Sequence, residues 1–224
     1  MAEIIIFGVN DTAQLAHYYL KNDSAHKVVA FTVDADYLTE DKQFDGLPLI
    51  DFADIENHYS PDQYQFFAPM TAAGMNRFRE DVFLRAKDKG YKFISYISSK
   101  ATVLTEDIGE NCFILEDNTL QPFTHIGDNV VLWSGNHIGH HSRIGSHSFI
   151  SSHVVVSGHC NIGEYSYLGV NCTLRDGLTI GEGTFIAMGA SVTKNTNAWG
   201  AYLGSPARSM NKKSTEIKIY HEMD

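Results

Sequence analysis

The order of apolar and polar residues divides the chain into two halves with different periods. In the first, short apolar runs alternate with stretches of helical spacing. Glu3 to Phe7 reads as a strand that enters the turn Gly8-Val9-Asn10-Asp11, and a helix follows over Thr12 to Lys21 with Asp11 suited to its N-cap. Further strands are expected at Lys27 to Val33, ending in Asp34, then at Leu47 to Ile50, Tyr64 to Phe67 and Tyr91 to Ile97. Between the last two, Met75 to Lys89 has helical spacing with Phe78, Val82, Phe83 and Ala86 on one side. Strand and helix in alternation predict a small, Rossmann-like parallel α/β domain over residues 1–98.

The second half repeats every six residues. Stepping by six from Ile108 to Val192 meets fifteen positions, and each is Ile, Leu or Val. Those three types fill 45 of the 224 positions, so a run of this kind does not arise from composition. A period of six fits neither an amphipathic helix nor an alternating strand. It fits a coil of short parallel strands in which one branched side chain per strand points inward. A longer beat lies over it: residues 109, 127, 145, 163 and 181 are all glycine, which suggests one corner in three with a positive φ. Three hexads make one triangular turn, so about five turns are expected over residues 99–195, with 196–224 as a C-terminal segment capping the coil. The fourth residue after the inward aliphatic is usually small, as at Ser142, Ser148, Ser166 and Ala190, and all three cysteines, Cys112, Cys160 and Cys172, take this slot. Packing in a tight interior explains them better than a catalytic thiol does.

Charge and composition narrow the function. With 17 Lys+Arg against 27 Asp+Glu the formal charge is −10, which argues against a nucleic-acid partner held through its phosphates. The apolar run Ile4 to Phe7 follows no basic start and is too short for a signal peptide or a membrane span, so a cytoplasmic protein without membrane insertion is expected. Three cysteines without CxxC spacing suggest neither a disulfide framework nor a thiolate zinc site. In a parallel sheet the first strand-to-helix turn is where a nucleotide's phosphates sit. Gly8 alone is a weak signal for that, because Asn10, Asp11 and Thr12 supply no glycine and Asp11 would repel phosphate.

The hexad array, the segment GASVTKN at 189–195 and the closing YLGSPARSM at 202–210 resemble the left-handed β-helix acyltransferases of the hexapeptide-repeat superfamily. With its α/β half, the whole chain is similar to the sialic acid O-acetyltransferase type, which includes the N-acetyltransferases of bacillosamine and perosamine. The resemblance implies a homotrimer with acetyl-CoA in the groove between neighbouring coils and transfer of acetyl to an amino or hydroxyl group of a nucleotide-linked sugar. The family's catalytic segment I-x-H-[DE]-x-x-I-G reads here Ile138-Gly139-His140-His141-Ser142-Arg143-Ile144-Gly145, which makes His140 the general base and His141 its catalytic neighbour. An imidazole of ordinary pKa near ~6.5 is largely neutral at pH 7 and suits that role. Gly158, eighteen residues on, matches the glycine whose backbone faces the thioester. For acetyl-CoA the resemblance also implies Phe149, Val170, Gly189, Lys194, Gly204, Pro206 and Arg208, and for the acceptor Asn10, Asp11, Thr12 and Asp34.

The chain departs from that pattern in three places. The acidic residue after the catalytic histidine is His141, the second histidine of some relatives is replaced by Phe149 with His147 two residues earlier, and the sugar-nucleotide loop is Val9-Asn10-Asp11-Thr12. Eleven histidines are present, seven of them between His125 and His159, and His141, His147, His153 and His159 recur at six-residue intervals. Such a ladder invites comparison with the γ-class carbonic anhydrases, which share the coil and bind zinc, but their HxxxxH spacing is absent and no metal is expected. A non-catalytic scaffold is the other alternative. Lys194, Arg208, Lys212 and Lys213 weigh against it, since they cluster where the family's coenzyme phosphates lie.

Overall fold

The computed structural model describes residues 1–217. In the first half β1 (Glu3–Phe7), β2 (Lys27–Val33), β3 (Gln43–Phe44), β4 (Leu47–Asp51), β5 (Gln65–Phe67) and β6 (Lys92–Phe93) form one sheet in the order β3-β4-β2-β1-β5-β6. All its pairings are parallel except the β3–β4 hairpin. Apolar residues occupy both faces of β1 because both are covered, as a parallel sheet requires. One face meets α1 (Asp11–Asn22) and the coil, and the other meets a short helix α2 (Ile55–His58) and α3 (Arg77–Asp88). Asn10, rather than the expected Asp11, caps α1, accepting from the Ala13 N–H at 3.1 Å. Phe78 is also not on the buried side of α3: it is 61% exposed, while Arg79 beside it is fully buried.

From Tyr96 onward the chain winds as a triangular coil whose two-residue strands pair in parallel with those about one turn away. The fifteen inward aliphatics line its axis and nearly all are fully buried. Each such Ile or Leu contributes roughly 1.5–3 kcal/mol on burial, enough to hold a ladder of two-residue strands together. Tyr96–Ile97 pairs with Phe113–Ile114 and Thr102–Val103 with Thr119–Leu120, so the coil starts before the expected boundary at residue 98. These first strands pair seventeen residues on rather than eighteen, which hides them from a strict six-residue step. At the other end Gly200–Leu203 continues the same face and Arg208–Lys213 turns back along it antiparallel.

The corners obey a rule different from the expected one. Every sixth residue from Asn111 to Gly189, the third after each inward aliphatic, has φ between +54° and +79°. Asn and Gly suit this left-handed region. Here it also holds Phe123, Tyr165 and the four evenly spaced histidines. The glycines at 109, 127, 145, 163 and 181 do not have positive φ. They are needed because the next turn lies against them: a Cβ on Gly145 would stand 2.6 Å from the Glu164 nitrogen.

The two halves are joined along one edge of the coil. The fully buried Arg79 guanidinium donates to the carbonyls of Met70 and Thr71 in its own domain and to those of Asn129, His147 and Ser148 in the coil. Asn76 Nδ2 donates to the Tyr165 carbonyl at 3.0 Å, and Phe113, Val131 and Phe149 pack against the sheet beside Tyr96 and Phe67.

Candidate active site

His140 and His141 stand at the corner between strands His137–Ile138 and Arg143–Ile144, and His159 occupies the same corner one turn later. The inward Ile138, Ile144, Val156 and Ile162 set that corner, so the three imidazoles are carried outward on a fully packed coil. Two hydrogen bonds fix the local backbone: the His140 N–H donates to Gln121 Oε1, and the His159 N–H to the His140 carbonyl, each at 2.9 Å. His140 Nδ1 lies 3.1 Å from His141 Nδ1. The His141 ring stacks on His159 with centroids 4.9 Å apart and planes 15° apart, and Phe123 lies under it from the turn before. All three histidines are exposed.

With Nδ1 turned to His141, Nε2 is the free nitrogen of His140. Gly158 faces it: a Cβ there would be 3.0 Å from Nε2 and 2.9 Å from Cε1. Among the described residues the Gly158 N–H meets no protein acceptor, whereas the corresponding N–H groups of Glu110 and Asp128 donate to Asp128 and Ser146 side chains of the next turn. An imidazole with a free Nε2, its hydrogen-bonded neighbour and an unspent N–H therefore share one exposed corner. Lys194 follows on this corner two turns after Gly158.

The other expected residues divide into groups. Gly204, Pro206 and Arg208 line one cavity of about 340 Å³ together with Leu203, Ser205 and Ser209, and the Ser191 N–H donates to the Gly204 carbonyl, docking this segment on the last turn. Val170 and Gly189 meet at another corner, where the Gly189 N–H donates to the Val170 carbonyl at 2.8 Å. Phe149 requires correction: it is 2% exposed, stacked on Tyr167 and packed against the α/β half, so its role is in the join between the two halves. His147 is likewise engaged at that join. It bonds Asn129 Nδ2 at 2.9 Å, packs against Phe83 and Tyr165, and is kept below the usual histidine range, chiefly by burial.

Asn10, Asp11, Thr12 and Asp34 do not gather round one pocket. Asn10 is spent on capping α1, Thr12 is buried in its first turn, and Asp34 is held by both terminal nitrogens of Arg85. Asp11 alone lines the large open cavity of about 790 Å³ along α1, with His17, Tyr18, Lys21 and Asp45. Burial pushes the Cys112 and Cys172 thiols up to about 12 and raises that of Cys160, as expected of packing residues rather than nucleophiles.

Residues 123–158 match the sequence profile described as Bacterial transferase hexapeptide (six repeats). This segment is a hexapeptide-repeat array. The match spans the corner with His140, His141 and Gly158. None of the curated proteins matches the chain by sequence. Among solved structures, the acetyltransferase domain of PglB from Neisseria gonorrhoeae FA1090 has a TM-score of 0.79 at 21% identity, covering 94% of this chain and 100% of that one. PerB from Caulobacter crescentus, solved with CoA and GDP-perosamine, gives 0.80 at 21%, covering 93% and 97%. WeeI from Acinetobacter baumannii AYE gives 0.80 at 20%, covering 94% and 100%. At such identities the likeness establishes the fold, and it extends over both halves. The hexapeptide array is a left-handed β-helix behind a parallel α/β domain, as the sequence resemblance implied.

Proposed function

We propose that the protein is an acetyl-CoA-dependent acetyltransferase acting on an amino or hydroxyl group of a nucleotide-linked sugar, with His140 as general base. The observation that carries this reading is the corner itself: His140 presents Nε2 beside the bare backbone of Gly158 while Nδ1 is engaged by His141. The proteins with the same two-part fold support it, since one is solved with CoA and GDP-perosamine and another is an acetyltransferase domain.

In the proposed reaction His140 Nε2 accepts the proton of the attacking amine or hydroxyl, the role in which a neutral imidazole serves at neutral pH. His141 Nδ1 accepts from Nδ1–H of His140, holding the ring in that tautomer. The Gly158 N–H is placed to meet the oxygen that gains charge during transfer. Acetyl-CoA supplies the acyl group. Lys194 and Arg208 suit its phosphates, and the cavity lined by Gly204, Pro206 and Arg208 accommodates part of it. Buried thiols leave no cysteine to carry an acyl group, so transfer is direct.

The groove for acetyl-CoA is completed by a second copy in a trimer, to which exposed Phe123 and Met188, 73% and 77% accessible, contribute apolar surface. No helix among the described residues is long and apolar enough to cross a membrane. A panel of nucleotide-linked amino and deoxy sugars incubated with acetyl-CoA tests the reading. Release of free CoA thiol dependent on one class of acceptor is expected, and no release with any acceptor, without stabilisation of the fold by CoA, contradicts it.

A further inference from the structure

We propose that His140, His141 and His159 form a site for a borderline transition-metal ion such as Zn²⁺, Co²⁺ or Ni²⁺, and that occupancy switches off acetyl transfer. One ring nitrogen from each of the three lies within 4.8 Å of the others. Zinc bound to imidazole at about 2.0–2.1 Å in tetrahedral geometry sets its nitrogens roughly 3.3–3.4 Å apart. The 3.1 Å between the Nδ1 atoms of His140 and His141 is already close to that spacing. His159 completes the set with a ring nitrogen within 4.8 Å of one on each of the other two, on an exposed ring whose backbone is tied to the neighbouring turn through the His140 carbonyl. Exposure of all three leaves a fourth position to water. Three imidazoles without a carboxylate select Zn²⁺, Co²⁺, Ni²⁺ or Cu²⁺ over Mg²⁺ and Ca²⁺. Among the described residues no carboxylate or carbonyl holds the remaining ring nitrogens, so binding is reversible rather than structural.

The inhibitory part rests on the proposed role of His140. A metal on Nδ1 forces the ring proton onto Nε2, and a metal on Nε2 takes the lone pair directly. In either case the nitrogen beside Gly158 can no longer accept a proton.

The test uses the full chain with Co²⁺ as a spectroscopic probe and Zn²⁺ as the inhibitor. Titration with Co²⁺ is expected to produce a visible absorption band of tetrahedral type that saturates at one ion per chain. His159→Gly, which keeps the corner conformation that Gly177 already takes one turn later, abolishes the band. His153→Gly, at a corner outside the cluster, retains it. No saturable band, or an unchanged band in His159→Gly, overturns the site. Inhibition is read separately: Zn²⁺ at saturation suppresses thiol release at least tenfold in wild type and in His153→Gly, reversibly with chelator, and undiminished turnover with the site filled overturns the switch. A Co²⁺ band that His159→Gly removes, in a protein that transfers acetyl to no acceptor, upholds the metal site and counts against the transferase reading and, with it, the switch.

Discussion

His147 and His141 occupy the same slot of the hexad and the same left-handed conformation, at φ of 62° and 58°, yet on different edges of the coil. On one edge α3 closes over the corner: Arg79 takes the His147 carbonyl, Phe83 and Tyr165 pack on the ring, and burial depresses its basicity. On the other edge no helix among the described residues closes over the corner, and His141 is left exposed against His140, His159 and Phe123. The backbone slot fixes the conformation, and the neighbouring element decides whether a histidine is packed away or left exposed.

The largest effect on stability is expected where the covered edge is held. Arg79→Met leaves several buried carbonyls without a donor, at about 1–3 kcal/mol each, so a loss of at least about 3 kcal/mol is expected. For a chain of this size that lowers the midpoint of thermal unfolding by roughly 6–12 °C, which calorimetry will measure. A midpoint unchanged within error would mean the clamp does not join the two halves. A smaller, paired effect separates the two kinds of corner glycine. Gly145→Asn drives a side chain into the Glu164 backbone and costs about 1–3 kcal/mol in denaturant unfolding. Gly177→Asn, at φ of +70° with open space around it, stays within about 0.5 kcal/mol of wild type. Equal losses at both positions would contradict the assignment of close approach to one and backbone conformation to the other.

The smallest effect concerns protons. Because the folded chain holds His147 below the ordinary histidine pKa of ~6.5, the unfolded chain binds its proton first as pH falls. Stability is therefore full above about pH 6.5 and declines below it toward the depressed folded value. His147→Asn, which keeps a residue suited to the corner, flattens this decline, as unfolding curves at about pH 7 and pH 5 can establish. A decline of unchanged slope would place the proton uptake elsewhere.

Most of the coil was legible because one geometric demand, a branched side chain in a closed interior, recurs at every sixth residue and tolerates no exception from Ile108 to Val192. The two strands before it were not legible, since a single-residue change of register between Val103 and Ile108 breaks the step. Positive φ at the corners is not legible in the sequence because histidine, phenylalanine and tyrosine there carry no sign of it, whereas glycine points to it at other positions. In the α/β half, the parallel sheet followed from alternation, but the join to the coil did not. Arg79 on a helix reads as a solvated charge, and only carbonyls brought from turns far along the chain explain its burial. His140 was found through its motif. Its partner in space, His159, was reachable from the eighteen-residue beat that stacks it on His141.

The most direct measurement compares turnover of His140→Ala and His147→Asn with the acceptor that supports thiol release. Loss of a general base predicts a fall of roughly a hundredfold or more for His140→Ala, while His147→Asn, altered only on the covered edge, keeps turnover near wild type. Wild-type turnover in His140→Ala, or an equal fall in both variants, would contradict the assignment of chemistry to the exposed corner.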